Sequence, residues 1–397
     1  DWNPGELDMG DPDTLVNFVT WVRNNYPAKY YLLSILDHGG GWSPTFTDTS
    51  DQRLTSPSLR QSFIPPLRRS YYAWGGTGLS WDFSDDYDYL STAEMSRAFN
   101  SITREGSEKM DVVFYDACLM GMIEEAYEIK EYVNYFIGSE NEAWGSMPYD
   151  QYINSITSST EPRELAVGIV NDYTASLPLT GHPSTMSAVD LAAINEVSLA
   201  VDSLAQTMID GLSLPETVLQ IQDAYLLAQK FDYDSNFRLQ EETDGYVDLY
   251  HLALKIQENV TDTAIVDAAQ VVTNALGSGD GPFIIAEQHR SGYPWVITET
   301  LEYWNLDNAH GISIYLPLGQ DLQMILENEE GLTQTIKVRV WYNEVHLSFA
   351  ADTRWDEFIA AYYAATPTPI PTYTLPGPRG GIRPIQRRVY FPIVFKK

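Results

Sequence analysis

With a single cysteine, Cys118, the chain cannot staple itself with internal disulfides, and its stability must come from its core. A Cys/His metal centre is unsupported for the same reason, because no second thiol exists. Positive charge is scarce too: 24 Lys and Arg stand against 55 Asp and Glu, a formal net charge of −31. A field of that sign repels nucleic acid and anionic membranes and attracts cationic ligands. It also suits the solubility of a secreted or cell-surface bacterial protein. No apolar run approaches the length of a membrane span, and no charged-then-apolar leader opens the chain. The first residues, Asp1-Trp-Asn-Pro-Gly5, are polar, so anything preceding them is expected to have been removed or to lie on another chain. Repeats of solenoid type are absent.

What the chain does have is an alternation of apolar strands and helices. Helical spacing marks 12–25, and a strand follows over 30–37. A helix over 91–104 starts at Ser91 or Thr92 with Glu94 close behind, and a strand over 111–117 comes next. A helix over 119–131, a strand over 132–139, helices over 162–176 and 190–211, and a strand around 185–189 complete the first part. This order predicts an α/β protein, a mostly parallel sheet covered on both faces, occupying residues 1–212. From 213 to 365 longer helices dominate (214–231, 246–258, 261–275), then strands over 282–288 and 311–316 and a helix over 352–364. This part is expected to pack on the first as a subdomain. Residues 366–397 differ in kind: a Pro/Thr-rich extended linker leads to a basic, alternating tail that suits a strand added to a sheet edge. Residues 42–80 form a long polar loop holding Arg53, Arg60, Arg68 and Arg69.

Two strand ends carry chemistry. The run Asp111-Val-Val-Phe-Tyr-Asp-Ala-Cys118 ends in the thiol, and Tyr30-Tyr-Leu-Leu-Ser-Ile-Leu-Asp-His38 delivers an imidazole into Gly39, Gly40 and Gly41. Reactive groups in open parallel sheets gather at the carboxyl ends of strands. A helix beginning at Leu119 would favour the thiolate, and His38 would take its proton. The backbone N–H groups of Gly39 and Cys118 are candidates for an oxyanion hole. A lone cysteine after a strand is otherwise a small buried apolar residue, and a lone histidine a structural one. Strand alternation puts Asp116 on the face of Cys118, either as the floor of a pocket for Arg or Lys or as a carboxylate bonded to nearby backbone. Asp82, Asp85, Asp86 and Asp88 are candidate calcium ligands on a loop, or simply a solvated face.

The segments Asp37-His-Gly-Gly-Gly-Trp42 and Asp116-Ala-Cys-Leu-Met-Gly121 resemble the two catalytic blocks of the clostripain family of cysteine peptidases. Further segments are similar, among them Thr185-Met-Ser-Ala-Val-Asp-Leu191, Gly245-Tyr-Val-Asp-Leu249 and Gly311-Ile-Ser-Ile-Tyr-Leu-Pro317, so that the likeness runs from about residue 8 to 364. The resemblance implies a caspase-like α/β/α sandwich with a Cys–His dyad: Cys118 as nucleophile, His38 as base, and Asp116 at the bottom of a pocket preferring Arg to Lys. It places Glu140, Glu142 and Trp144 in the pocket-wall loop and self-cleavage at Arg53, Arg60, Arg68 or Arg69. No cofactor is required for the chemistry, although some relatives need calcium. Family members usually carry a further strand–helix–strand section before the stretch Met9-Gly-Asp-Pro12. That section is expected as an associated fragment, its absence leaving a sheet edge uncovered. The expected partners are protein or peptide substrates bearing Arg or Lys. An alternative is an idle peptidase scaffold serving as a surface or filament-forming protein, assembled through its C-terminal strand.

Overall fold

The structure is a computed structural model describing residues 5–42, 79–82, 88–143, 147–177, 182–232, 239–241, 244–294, 303–318, 323–327, 333–337, 342–343 and 347–366. Its strands are β1 (Leu32–Leu36), β2 (Leu79–Asp82), β3 (Asp88–Leu90), β4 (Met110–Asp116), β5 (Val133–Gly138), β6 (Ser184–Asp190), β7 (Lys230–Phe231), β8 (Tyr246–Asp248), β9 (Ile284–Arg290), β10 (Ser313–Tyr315), β11 (Gln323–Glu327) and β12 (Thr333–Lys337). The helices are α1 (Pro12–Asn25), α2 (Thr92–Ile102), α3 (Ile123–Glu128), α4 (Tyr149–Ser155), α5 (Pro162–Ser176), α6 (Ile194–Gly211), α7 (Pro215–Leu227), α8 (Leu249–Asn259), α9 (Thr263–Leu276), α10 (Ser348–Asp352) and α11 (Trp355–Ala365).

β4 is apolar on both sides and almost wholly buried, as a strand inside a covered sheet must be. The central sheet has the order β1-β4-β5-β6-β9. β1 and β5 both lie parallel to β4, and β6 is antiparallel to each of its neighbours. Four strands therefore share one direction and β6 opposes them, which is the mostly parallel α/β sheet expected. Val113 and Tyr115 face the large core, with α1, α2, α3 and α6; Val112 and Phe114 face a smaller one, under α4 and α5. β1 is an edge of this sheet, and its Leu36 is 64% exposed.

Residues 213–365 complete this body. The large core runs from Val197, Leu204 and Met208 of α6 into Ile256, Ile265, Val272, Ile314 and Phe358 without interruption. A second sheet, β10-β8-β7, is joined to the segment after Cys118 where the Ser313 N–H donates to the Gly121 carbonyl (2.9 Å). The described residues through Thr366 form one unit, and Pro367–Lys397 a second that lies outside the described residues, as does the tail-strand expectation.

Several helix boundaries differ from expectation: the helix expected over 214–231 ends at Leu227, and Lys230–Phe231 form β7 instead, paired with β8. The helix expected over 119–131 is only Ile123–Glu128, because Leu119 turns left-handed (φ +60°) and residues 119–121 bond sideways to the loop after β5. The first residues of the helix expected over 246–258 are instead β8, whose last residue, Asp248, caps α8 by accepting the His251 N–H (2.6 Å). α2 has the expected start, with Ser91 and Glu94 closing a reciprocal capping box.

α3 is short and carries three buried acids, each tied to a different neighbour. Glu124 accepts the Tyr315 N–H (2.9 Å) and the Tyr342 hydroxyl (2.8 Å), Glu125 the Thr92 hydroxyl (2.6 Å), and Glu128 the Ser348 hydroxyl (2.9 Å). Burial pushes Glu124 up to about 7 and Glu125 up to about 8. A carboxyl raised in the folded state holds a proton that the unfolded chain gives up, so its contribution is full below the unfolded value and is lost as pH rises through the folded one. The melting temperature should therefore fall between pH 5 and pH 9, and Glu125→Gln should remove a few degrees of that fall. Thermal melts that keep the full wild-type slope in the variant would show Glu125 not to be the source.

Candidate active site

β1 and β4 end together. Leu36 pairs with Asp116, and the Asp37 N–H donates to the Asp116 carbonyl (3.3 Å). Continuing past these partners, one segment reaches His38, which is exposed, and the other reaches Cys118, which is half-buried. Between them the backbones touch: a Cβ on Gly39 would stand 2.5 Å from the Cys118 carbonyl oxygen and 2.8 Å from the Ala117 Cβ. Only glycine permits that approach.

The glycine segment is held from its other side. Tyr246 of β8 points its hydroxyl at the carbonyls of Gly40 (2.6 Å) and Trp42 (2.9 Å), and Gly41 takes φ +71° to make the bend. Trp42 is buried edge-on against Tyr315 (4.9 Å) and Tyr342 (5.0 Å). On the cysteine side the Leu119 N–H donates to the Asn141 carbonyl (3.1 Å) and the Gly121 N–H to the Ser139 carbonyl (2.8 Å). Asn141 is fixed in turn by Thr185 Oγ1 (2.9 Å).

The sulfur does not sit at a helix N-terminus, since α3 starts only at Ile123. This corrects the expectation that a dipole would favour the thiolate. Burial instead pushes the Cys118 thiol up to about 12, the Glu142 charge adds to that rise, and the Asp116 charge adds further. The Ala143 N–H, 3.4 Å from Sγ, works in the opposite direction. Burial and these two charges favour the thiol over the thiolate.

Asp116 is buried at the strand end, where its Oδ2 accepts the Tyr149 hydroxyl (2.5 Å). Burial pushes it up to about 6, and the Tyr149 hydrogen bond limits the rise. The strand alternation that would place it on one face with Cys118 stops at Asp116: its neighbours Val112 and Phe114 belong to the smaller core, whereas Cys118 packs on the larger.

Of the wall-loop residues, Glu140 is buried beneath the loop, where its Oε2 accepts the Gly311 N–H (2.9 Å). Burial and the neighbouring Asp248 raise Glu140 well above the ordinary carboxyl range. Glu142 is buried closer to the thiol and is raised by burial and by the charges of Asp232 and Asp244. Trp144 lies outside the described residues, as do Arg53, Arg60, Arg68, Arg69, Asp85, Asp86 and the side chain of Asp88. Asp82 is buried, with Oδ2 accepting the Met9 N–H (3.0 Å), and among the described residues no group of three or more His, Cys, Asp and Glu side chains is gathered for a metal. Tyr246, Asn141, Ala143 and Tyr149 were not singled out from the sequence. Their partners lie far along the chain, and only the segment around Tyr246 carried a signal, through its family likeness.

The clostripain family model matches residues 3–56 and 71–362. The chain belongs to the clostripain family of cysteine peptidases. It is 29% identical over 157 residues to clostripain from Hathewaya histolytica, a match covering 38% of this chain and 25% of that protein. The match thus spans about a quarter of the length of this curated relative. The fold is similar to that of a secreted C11 cysteine protease from Bacteroides thetaiotaomicron, solved with an irreversible peptide inhibitor (TM-score 0.55, 18% identity, 87% of this chain and 78% of that one). It is also similar to that of an inactive zymogen C11 protease from Parabacteroides distasonis (TM-score 0.52, 16% identity, 80% and 72%). These likenesses agree with the caspase-like α/β architecture expected from the two blocks.

The Gly39 contact makes a direct prediction. Gly39→Ala must push apart backbone that cannot yield as a side chain does, an overpacking cost of about 1–3 kcal/mol. Its melting temperature should drop and its rate of Cys118 alkylation by iodoacetamide should change; a variant matching wild type in both would contradict the contact.

Proposed function

We propose that the chain is a secreted cysteine endopeptidase that cleaves after basic residues, Arg before Lys, through Cys118 and His38. The observation that carries this reading is the backbone contact of Gly39 with Cys118, which brings the segments of imidazole and thiol to one rim in a member of the clostripain family. His38 takes the proton of Cys118 as sulfur attacks the scissile carbonyl, and the N–H groups of Gly39 and Cys118 receive the developing oxyanion. His38 then protonates the leaving amine, giving a thioester. Water, deprotonated by His38, releases the acid and restores the thiol. No cofactor enters these steps.

Asp116 is the pocket base that receives the substrate cation, with Glu142 buried in the wall loop near the sulfur. A cation seated there also offsets the Asp116 charge, one of the causes that raise the thiol. Glu140, buried and bonded to Gly311, supports the loop rather than lining it. Maturation by self-cleavage within 42–80, at Arg53, Arg60, Arg68 or Arg69, belongs to the same reading, and a zymogen among the structural neighbours is in keeping with it.

An arginyl electrophile should add its mass to Cys118, and Cys118→Ala should lose both labelling and turnover of an Arg-ended reporter peptide. Equal turnover by the variant would remove Cys118 from the mechanism. Asp116→Asn should lower kcat/KM for Arg reporters on the order of a hundredfold, the scale of a lost desolvated charge pair. A uniform loss on basic and neutral reporters would instead argue against its pocket role.

A further inference from the structure

The base of the proposed pocket is itself held by a directed chain of hydroxyls. Tyr149 has one proton, which goes to the Asp116 carboxylate (2.5 Å), so the Ser34 hydroxyl at 2.7 Å must donate to the Tyr149 oxygen. The order is Ser34 to Tyr149 to Asp116 Oδ2. Ser34 pairs in register with Phe114, two residues before Asp116 on the same strand face, so the phenol spans the β1–β4 pair. The ring is positioned by packing: Tyr149 meets Tyr152 edge-on (5.6 Å), and Tyr152, fully buried, meets Phe114 edge-on (6.4 Å). Tyr149 is also the first residue of α4, directly after the loop that carries Glu140 and Glu142.

The Asp116 side chain has no other bond among the described residues. Oδ2 is taken by Tyr149, and Oδ1 receives no hydrogen bond. The titratable groups facing Asp116 are Tyr149 and Tyr152 from α4 and Cys118 beyond its own strand; from β1 it meets the Asp37 N–H through its carbonyl. No cation among the described residues acts on it. A buried carboxylate bonded on one oxygen, and lacking a counter-charge, is an arrangement completed by a ligand cation.

We propose that Tyr149, with Ser34 behind it, is a positioning residue for substrate selection: it fixes Asp116 by Oδ2 so that Oδ1 is aimed at the guanidinium or ammonium of the substrate. It also keeps the carboxylate ionised at pH values where burial alone would protonate it. The proposal rests on Asp116 being the pocket base, and the test separates the two claims.

Tyr149→Phe, Ser34→Ala and Asp116→Asn are assayed in the full chain against Arg-ended and neutral reporters from pH 5 to 8. Rates of Cys118 alkylation by iodoacetamide and thermal melts are measured beside them. Tyr149→Phe should raise KM for the Arg reporter about 10- to 100-fold, the scale of a hydrogen bond to a charged group. Its kcat should stay within about twofold, as for an interaction lost equally from ground and transition states. The acidic limb of kcat/KM should move to higher pH, since the carboxylate loses its one donor. Ser34→Ala should shift both in the same direction by less, and its milder change keeps the test open should Tyr149→Phe unfold. An unmoved KM and acidic limb in Tyr149→Phe, with a large loss in Asp116→Asn, would overturn the proposal and leave the pocket reading standing. An Arg KM unchanged in Asp116→Asn would overturn both. Loss confined to kcat, alike on both reporters and matched by slower alkylation, would mark Tyr149 as structural and overturn the proposal.

Discussion

Backbone meets backbone where β1 and β4 end, and this contact sets the terms for the rest of the site. A side chain at position 39 would run into the carbonyl of Cys118, so the two segments reach this separation only with glycine there. The contact further requires that both strands stop in register, which the Leu36–Asp116 pair and the Asp37 N–H achieve. It requires that the glycine segment be pressed inward, which Tyr246 does from the second sheet. It requires that the chain after Cys118 turn away at once, which Leu119 does in a left-handed conformation secured by Asn141. Sections far apart in the chain thus converge on one small piece of main chain, and residues 213–365 are as necessary to it as the strands that carry the thiol and the imidazole.

The surroundings of that contact are unusually rich in buried negative charge. Asp116, Glu140, Glu142, Asp232, Asp244 and Asp248 are all buried, and with them Glu124, Glu125 and Glu128 on α3. A lone ionised carboxylate is expensive to bury, so such groups take up protons or draw on backbone donors. Both occur here. Asp248 accepts the N–H groups of His251 and His310 (2.6 Å each), while burial raises its neighbour Glu140 and so favours its neutral form. Asp116 has a phenol and no cation. In the reading proposed above its charge serves a substrate cation, whereas Glu124, Glu125 and Glu128 tie α3 to its neighbours.

The two strands and the residues they deliver were readable because a buried parallel strand is a short apolar run, and three glycines after a histidine are hard to explain as packing alone. What was not readable shares one cause. The position of α3 depends on Leu119 bonding to Asn141, and a local pattern of apolar residues contains no sign of that. Glu124, Glu125 and Glu128 look like the solvated side of an ordinary helix, since glutamate is rarely buried; they are buried because α3 is a short plug between α2, β10 and α10. The expected common face of Asp116 and Cys118 assumed that the pleat continues, and it stops at the acid itself. Tyr149 is invisible for the same reason, because its meaning lies in Ser34 and Asp116, neither of them near it in the chain.

The buried acids make opposing demands on pH. Asp116, raised to about 6, must be ionised if it is to receive a cation, so its task is favoured as pH rises through that value. Glu125, raised to about 8, must stay protonated to remain buried without cost, so its contribution to the fold is lost as pH rises through that one. The signs differ because one group acts through its charge and the other through its neutrality. Both conditions hold together only between about 6 and about 8. The interval follows from burial of the same chemical group in two places, one at the end of β4 and one on α3. The net charge of −31 presses on it from the alkaline side, since every further ionisation adds to the repulsion the fold already bears.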